Sequence, residues 1–208
     1  MTLSDISSSE LEIARQYANE KNVMLENIIQ ADASNLSSTL SAFKEEEYDI
    51  VLLLGPLYHL LNKDERLRTL QACACLPKKE GIIIVAFVTK FAHLRDLAQR
   101  DPKRLFSEKD FYTEYLTTGK YTRNPSTVSH HSHPFEIWQL LEKVEYPRLE
   151  VQGMIGCEGF LGGGLWKGLN GLNEGEYEAW VDIVWDNAED ESALSASDHI
   201  LVVAKRCS

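Results

Sequence analysis

Apolar runs alternate with segments of helical spacing through residues 1–88. Strands are predicted at Thr2–Ile6, Ile28–Gln30, Tyr48–Leu54 and Gly81–Val88, and helices at Glu10–Glu20, Leu36–Phe43 and Asp64–Cys75. Ser9 and Glu12 have the spacing of a capping box for the first helix. The third and fourth strands are continuously apolar, which predicts burial on both faces. This order is typical of a mostly parallel sheet with helices on both faces.

The second half of the chain begins with a different pattern. Phe91–Thr118 has helical spacing that breaks near Asp101 and Pro102, and polar residues then dominate Tyr121–Ser132. We interpret about Phe91 to His133 as a helical cap over one end of the sheet. Further elements are predicted at Pro134–Val144 (helix), Arg148–Gly156 (strand), Glu176–Asn187 (helix with Tyr177, Trp180, Val181 and Val184 on one buried stripe), Glu189–Glu191 (solvated loop) and His199–Ala204 (strand). No repeat or boundary divides the chain, so residues 1–208 are predicted to form a single domain.

Composition excludes several classes of function. The 208 residues include 21 basic and 32 acidic ones, a net charge of -11, and no Lys or Arg occurs from Gly168 through Ala204. Such a chain is poorly suited to bind nucleic acid or anionic lipid. Its apolar runs are too short to cross a bilayer, and no secretory signal is present. The four cysteines lack zinc spacing, which favours a reduced, cytoplasmic protein.

The order of these segments resembles that of class I S-adenosylmethionine-dependent methyltransferases, from the family's second strand onward. The resemblance spans essentially the whole chain. It is carried by MTLSDIS, LEIARQYA, IIQADASNL, YDIVLLLGPLYHLL, LPKKEGIIIVAF and SDHILVVAKR, in that order. It implies a Rossmann-like methyltransferase sheet, S-adenosylmethionine as cofactor and a small-molecule substrate.

The resemblance also implies roles for individual residues. Asp5 matches the acid that accepts hydrogen bonds from the cofactor ribose, and Asp32 with Ala33 matches the pair that contacts the adenine. Gly55 and Tyr58 lie in the loop that follows the methionine part of the cofactor. Without the resemblance, Asp5 is an exposed acid before a helix and Asp32 forms an Asx turn.

One departure from the family is large. The family's first strand and its glycine-rich cofactor loop precede the part that Thr2 begins, so the chain is expected to be an N-terminally truncated version of the fold. That strand is central, and its loss leaves a gap with two unpaired strand edges. The gap closes if Thr2–Ile6 pairs with Tyr48–Leu54, if a second chain fills it, or if the native chain is longer. We favour a homodimer, because the same loss uncovers apolar helix faces.

Histidines are the candidate catalytic groups. His59 follows the strand end that faces the expected cleft, and His133 precedes Pro134, which restricts its conformation. Either could act as a general base, because imidazole titrates near neutral pH. The alternative is an ordinary polar role in a loop or at a helix start. His130, His131 and His133 form a cluster, but adjacent imidazoles make a strained chelate, and no metal is expected.

Aromatic residues of the cap and of the glycine-rich stretch are the candidate substrate contacts. Tyr112, Tyr115 and Trp166 could line a pocket for a planar molecule, or the two tyrosines could simply form the core of the cap. Gly159–Gly164 lacks the spacing of a nucleotide loop and is predicted to be a flexible loop, with Trp166 as its anchor.

Three functions fit these features. The first is a small-molecule methyltransferase. The second is a non-methylating enzyme, such as an isomerase or cyclase, on the same scaffold without the cofactor. The third is a non-catalytic partner of another protein.

Overall fold

The computed structural model describes residues 1–35, 43 and 45–207. Its strands are β1 (Thr2–Asp5), β2 (Asn27–Gln30), β3 (Tyr48–Leu53), β4 (Pro77–Val88), β5 (Lys120–Tyr121), β6 (Ser129–His130), β7 (Leu149–Gly156) and β8 (His199–Arg206). Its helices are α1 (Ser8–Glu20), α2 (Pro56–His59), α3 (Lys63–Ala74), α4 (Ala92–Arg100), α5 (Arg104–Ser107), α6 (Lys109–Thr118), α7 (Pro134–Leu141), α8 (Glu174–Asp186) and α9 (Glu191–Ala196). The helix predicted at Leu36–Phe43 lies, except for Phe43, outside the described residues.

The strands form separate hydrogen-bonded groups. β1 pairs in parallel with β2, and β3, β4, β8 and β7 form a four-stranded sheet in that order. β3 and β4 are parallel neighbours, as predicted, and β8 runs antiparallel to both β4 and β7. Among the described residues no strand pairs with the second edge of β1 or of β3. Direct pairing of Thr2–Ile6 with Tyr48–Leu54 is therefore not the arrangement that this chain adopts.

The first helix begins earlier than the sequence predicts. Ser7, rather than Ser9, is the N-cap, and its hydroxyl accepts a hydrogen bond from the Glu10 backbone N–H at 3.3 Å. Leu11 and Ala18 are the buried residues of this helix. The predicted capping box was wrong because several serines in a row offer alternative caps, and the packing of the helix selects among them.

The main core lies on one face of the four-stranded sheet. Leu53, Val85 and Val202 from three of its strands pack there with Leu70 of α3 and Leu140 of α7. All five residues are at least nine-tenths buried. This face holds the helices against the sheet and fixes the carboxyl ends of β3 and β4.

The opposite face of β3 is open, which corrects the prediction of burial on both faces. Ile50 and Leu52 are 59% and 60% exposed, whereas Leu53 on the core side is 6% exposed. The apolar run correctly predicted a strand. It could not predict whether a covering helix is present on each side, because that depends on distant segments.

The cap consists of α4, α5 and α6, and the predicted break near Asp101 is confirmed. Its interior is a separate small cluster of Leu97, Tyr112 and Tyr115. The polar segment Tyr121–Ser132 was predicted to be a loop, but its ends form the antiparallel ladder of β5 and β6. Two-residue strands leave too short a pattern to be recognised in a sequence.

Two predictions near the C-terminal end were wrong. The apolar stripe on α8 is not buried, since Trp180 is 40% and Val181 48% exposed. The acidic segment at Glu189–Glu191 introduces the helix α9, because Asp190 caps it by accepting a hydrogen bond from the Ser192 N–H at 2.8 Å. Ala193 and Leu194 on α9 are buried.

Within the described part of the chain, no helix combines the length and the apolar character that a membrane span requires.

Candidate functional site

The two predicted cofactor acids lie at the carboxyl end of the β1–β2 pair. Asp5 is the last residue of β1, and its Oδ1 accepts a hydrogen bond from the Ser7 N–H at 2.8 Å. Asp32 follows β2 and forms an Asx turn, in which Oδ1 accepts from the N–H and the hydroxyl of Ser34 at 2.8 and 2.7 Å. Both residues are exposed. Each turn uses only Oδ1, so each carboxylate keeps a second oxygen that could accept a ligand's hydrogen bond.

Ala33 ties this edge to the larger sheet. Its carbonyl accepts a hydrogen bond from the Thr69 hydroxyl of α3 at 3.1 Å, and its side chain packs on the main core. Ala33, and with it the turn at Asp32, is therefore held by α3, the helix that precedes β4.

The loop after β3 leaves space beside its backbone. Gly55 has a φ of 175° and precedes α2. A methyl group placed on Gly55 would meet only the Tyr58 hydroxyl, at 3.8 Å. Leu57 is fully buried and fixes the loop to the core. A ligand could therefore approach this backbone closely at the carboxyl end of β3, where open α/β sheets bind ligands.

The two predicted catalytic histidines occupy different local environments. His59 is exposed, and its Nδ1 lies 3.3 Å from the Val128 carbonyl oxygen, which orients the ring towards the segment before β6. His133 is the N-cap of α7: its Nδ1 accepts from the Phe135 N–H at 3.2 Å, while Glu136 accepts from the His133 N–H at 3.0 Å. Because Nδ1 accepts in this cap, the neutral His133 ring carries its proton on Nε2.

The predicted substrate residues Tyr112 and Tyr115 lie inside the cap. They are 1% and 0% exposed, and the Tyr115 hydroxyl lies 2.6 Å from Nδ1 of His131 and 2.6 Å from the Lys90 carbonyl oxygen. Burial lowers the pKa of His131 to about 4, with smaller effects of His93 and His199. Burial also raises the pKa of the Tyr115 hydroxyl. This is a neutral hydrogen-bonded pair, and a substrate would reach it only if the cap opened.

The third predicted substrate residue is separate from these two. Trp166 lies in the 3₁₀ segment Leu165–Leu169 and is 48% exposed. The Lys167 ammonium lies 5.9 Å from the centre of its ring. The structure therefore does not bring the three predicted aromatic residues into one pocket.

The glycine-rich stretch packs against the helices α4 and α9 and is not an open loop. A Cβ on Gly162 would lie 2.1 Å from the Ala196 carbonyl oxygen, and one on Gly163 would lie 2.7 Å from Cβ of Arg95. The Gly163 N–H donates to Oδ2 of Asp198 at 2.7 Å. Glycine is required at these positions for close backbone approach, which is the physical reason for the motif.

A half-buried polar network that the sequence did not reveal supports this stretch. Arg95 pairs with Asp198 at 2.7 Å, and Glu158 accepts hydrogen bonds from Ser197 and His199. Burial of Glu158 opposes its charge, but the hydrogen bonds outweigh burial and lower the pKa of its carboxyl to about 2. The interacting residues of this network lie about forty residues or more apart in the chain. No local sequence motif therefore predicts them.

A cavity of about 520 Å³ lies between α3, the end of β4 and α7. Arg66 and His130, 7% and 8% exposed, both line it. No sequence pattern singles out Arg66, an arginine inside the predicted helix Asp64–Cys75. Among the described residues there is no group of three or more His, Cys, Asp or Glu side chains that could hold a metal ion.

Comparison with known proteins agrees with this architecture. Residues 1–85, from β1 into β4, match a family model described as a methyltransferase domain. A methyltransferase structure from Methanosarcina mazei, S-adenosylmethionine-dependent, aligns with 16% identity and a TM-score of 0.57, over 99% of this chain and 81% of that chain. One from Clostridium acetobutylicum aligns with 10% identity and a TM-score of 0.57, over 100% of this chain and 75% of that chain.

A cyclase is also among the similar structures. The [4+2]-cyclase SpnF aligns with 15% identity and a TM-score of 0.52, over 99% of this chain and 65% of that chain. No curated protein gives a significant match to the sequence.

These findings define the fold of the chain. The chain has the fold of class I S-adenosylmethionine-dependent methyltransferases, and the resemblance seen in the sequence is confirmed. Residues 1–85 of the chain carry the methyltransferase-domain pattern.

The residues present fit one side of such a cofactor. The free oxygens of Asp5 and Asp32 suit the hydroxyl and amino donors of an adenosine, and the open space at Gly55 suits a close backbone contact. The glycine-rich stretch at Gly159–Gly164 does not supply the other side, because it is packed against Arg95 and Ala196.

Proposed function

We propose that this chain is a single-domain, small-molecule methyltransferase that uses S-adenosylmethionine. The observation that carries the proposal is the sheet order β3–β4–β8–β7 with an antiparallel β8, together with a separate parallel β1–β2 pair whose carboxyl end bears Asp5 and Asp32. The match of residues 1–85 to a methyltransferase domain supports it. The net charge of -11 argues against a nucleic acid substrate.

Five residues would hold the cofactor. Asp5 would accept from the ribose hydroxyls, Asp32 and the backbone of Ala33 would contact the adenine, and Gly55 and Tyr58 would follow the methionine part. When bound, the cofactor supplies an electrophilic methyl group on a sulfonium. The chain's own contribution is to position the acceptor and to remove its proton.

His59 and His133 are the candidate bases. His59 is the last residue of α2, which follows the carboxyl end of β3. His133 lies at the end of the cap and begins α7. His59 is exposed and oriented by Val128, so its Nε2 is free to accept a proton. The helix cap uses the unprotonated Nδ1 of His133, so the neutral ring carries its proton on Nε2, and His133 can accept a proton only when Nδ1 is released from the Phe135 N–H.

The unpaired edges of β1 and β3 support a homodimer. Unpaired N–H and C=O groups along a strand edge are a template for pairing with another chain, so an open slot between two strands is unfavourable. Ile50 and Leu52 beside the slot are more than half exposed. A second copy that pairs with these edges, or covers this face, would remove both costs. We further propose a cytoplasmic location, consistent with four unpaired cysteine thiols.

A non-methylating enzyme is the second candidate. Two observations favour it: the likeness to a [4+2]-cyclase, and the packing of the glycine-rich stretch away from any cofactor. Such an enzyme would use the shape and polarity of a cavity instead of a methyl donor.

Calorimetry with S-adenosylmethionine separates the candidates. A methyltransferase should release heat on binding and lose it when Asp5 and Asp32 are both replaced by Ala. Absence of heat at high ligand concentration, with the fold intact by circular dichroism, would refute the first candidate and favour the second.

A further inference from the structure

We propose that the cavity between α3, β4 and α7 is a binding pocket for a small organic carboxylate, with Arg66 as its anion-binding residue. Its volume of about 520 Å³ is sufficient for a ring-sized molecule. The proposal deepens the proposed function, on which it rests only in calling the carboxylate a substrate.

Within the part of the chain that the structure describes, Arg66 is a buried cation without an ion-pair partner. The residue is 7% exposed, and one guanidinium nitrogen donates to the Leu60 carbonyl oxygen at 2.7 Å. No carboxylate lies within 4.0 Å of it among the described residues. Burial lowers the pKa of Arg66, and the charge of Glu136 partly offsets this effect. The guanidinium remains charged, and its remaining N–H groups form a planar fork that matches a carboxylate.

The arginines of a second cavity, in contrast to Arg66, do have ion-pair partners. It lies between α5 and Arg123 in the cap, with a volume of about 550 Å³. Its arginines are satisfied internally: Arg104 pairs with Asp101 and Arg123 with Glu108, at 2.9 and 2.8 Å. Arg66 has no such anion among the described residues. A negatively charged ligand in the first cavity could therefore form an ion pair with it.

His130 adds a neutral donor to the same cavity. Burial, and then the nearby charge of Arg66, lower its pKa to about 3, so the ring is uncharged at neutral pH. Its Nδ1 lies 3.3 Å from the Ser132 hydroxyl, and Nε2 has no hydrogen-bond partner among the described residues. A hydroxyl that donates to Nδ1 leaves the proton on Nε2, where it can donate to a carboxylate oxygen.

The rest of the lining selects the kind of anion. Lys63 and Lys120 add positive charge at the exposed rim, and Glu136 adds one negative charge. Phe87, Ile137 and Leu140 form an apolar wall. Three positive groups and one negative group give the lining a net charge of +2, which attracts an anion, and the buried fork of Arg66 matches one carboxylate. The apolar wall suits a hydrocarbon body, so an aromatic or aliphatic carboxylic acid fits better than inorganic phosphate.

The test uses benzoate as the anionic probe and benzamide as its uncharged counterpart. The ring protons of His130, followed by NMR, should shift with benzoate and not with benzamide. An affinity in the millimolar range is expected for a ligand of this size. Arg66→Gln should weaken benzoate at least tenfold, and Arg66→Lys should retain part of the affinity. Arg68→Gln, an exposed position on the same helix, should leave it unchanged.

A second variant keeps the test decisive if Arg66→Gln fails to fold. Glu136→Gln preserves an oxygen for the helix cap but removes the negative charge, so benzoate should bind severalfold tighter. Equal responses to benzoate and benzamide, or wild-type affinity in both Arg66 variants, would overturn the proposal. Benzoate binding that survives Asp5→Ala while S-adenosylmethionine binding is lost would separate this pocket from the cofactor site.

Discussion

The Glu158 carboxylate lies 2.7 Å from Nδ1 of His199 and also accepts hydrogen bonds from the backbone N–H groups of Asp198 and His199, at 3.0 and 2.9 Å. One side chain therefore connects the end of β7 to the start of β8. Ser197 donates to the same carboxylate. The Glu158 carboxylate therefore stabilises the whole turn that leads into β8.

This pair makes stability depend on pH in a defined way. The hydrogen bond with Glu158 raises the pKa of His199 above 6.5, although burial opposes the shift. Its stabilisation is fully present below pH 6.5 and is lost as pH rises through the raised pKa. The pKa of Glu158 is lowered from 4.5 to about 2, so its stabilisation is present above pH 4.5 and is lost as pH falls towards 2.

His199→Gln should therefore flatten the alkaline side of the stability profile. The measurement is the melting temperature at pH about 5.5 and about 8.5, where the wild type should lose more stability than the variant. Glu158→Gln should reduce stability by about 1.5–3 kcal/mol and flatten the same limb. If the wild type and His199→Gln change in parallel between the two pH values, the pair does not couple protonation to folding.

A second prediction concerns the backbone of the glycine-rich stretch. Gly163 has a φ of +70°, and a Cβ there would lie 2.7 Å from Cβ of Arg95. Gly163→Ala combines backbone strain with displacement of the arginine that pairs with Asp198, and should cost about 2–4 kcal/mol. Gly168→Ala is the matched control, since nothing lies within 4 Å of its added methyl group. Chemical denaturation should show the control within about 0.5 kcal/mol of wild type. Similar losses in both variants would contradict the assigned packing.

The sequence predicted what depends on local pattern. The apolar runs located β3 and β4, and the break near Asp101 separated the cap helices. It failed where distant segments decide the outcome: Ile50 and Leu52 were expected to be buried, and Glu158 was not singled out. For the candidate site, the acids at the strand ends were found from a resemblance. Arg66 was missed because its burial depends on distant segments that meet around the cavity, such as β4 and α7, which no spacing reveals.

The cofactor assignment predicts a graded effect of the two acids. Asp5→Ala and Asp32→Ala should each weaken S-adenosylmethionine by about 1–3 kcal/mol, the loss of a charge-assisted hydrogen bond. Asp182→Ala, at an exposed position on α8, is the control and should bind normally. Isothermal calorimetry measures all three. Because both acids also form local turns, Asp5→Asn and Asp32→Asn should retain the turns and still lose affinity. Unchanged binding in every variant would remove both assignments.

The role of His133 can be separated from its role as a helix cap. His133→Ala removes both the candidate base and the cap, and a lost cap alone costs about 1 kcal/mol of stability. His133→Asn keeps a side chain that can cap α7 but cannot act as a base. If His133 is the general base, both variants should lower turnover by roughly a hundredfold while only the Ala variant loses stability. His59→Ala should lower turnover similarly if His59 is the base. Normal turnover in His133→Asn and in His59→Ala would assign both residues to the scaffold.

The open side of β3 leads to the last prediction. Ile50 and Leu52 present more than half of their surface beside an unpaired strand edge. Burying such a side chain contributes about 1 kcal/mol for the exposed half, and pairing the edge adds backbone hydrogen bonds.

If a second copy covers this region, analytical ultracentrifugation of the wild type should show a dimer. Ile50→Glu should convert it to a monomer, because the interface would then bury an unpaired charge. Phe106→Glu, at a position 89% exposed on α5, should leave the dimer intact. Hydrogen exchange in Thr2–Asp5 and at Ile50 should be slow in the dimer and fast in the Ile50→Glu variant. A wild type that stays monomeric, with both strands exchanging rapidly, would exclude a second copy as the partner of these edges.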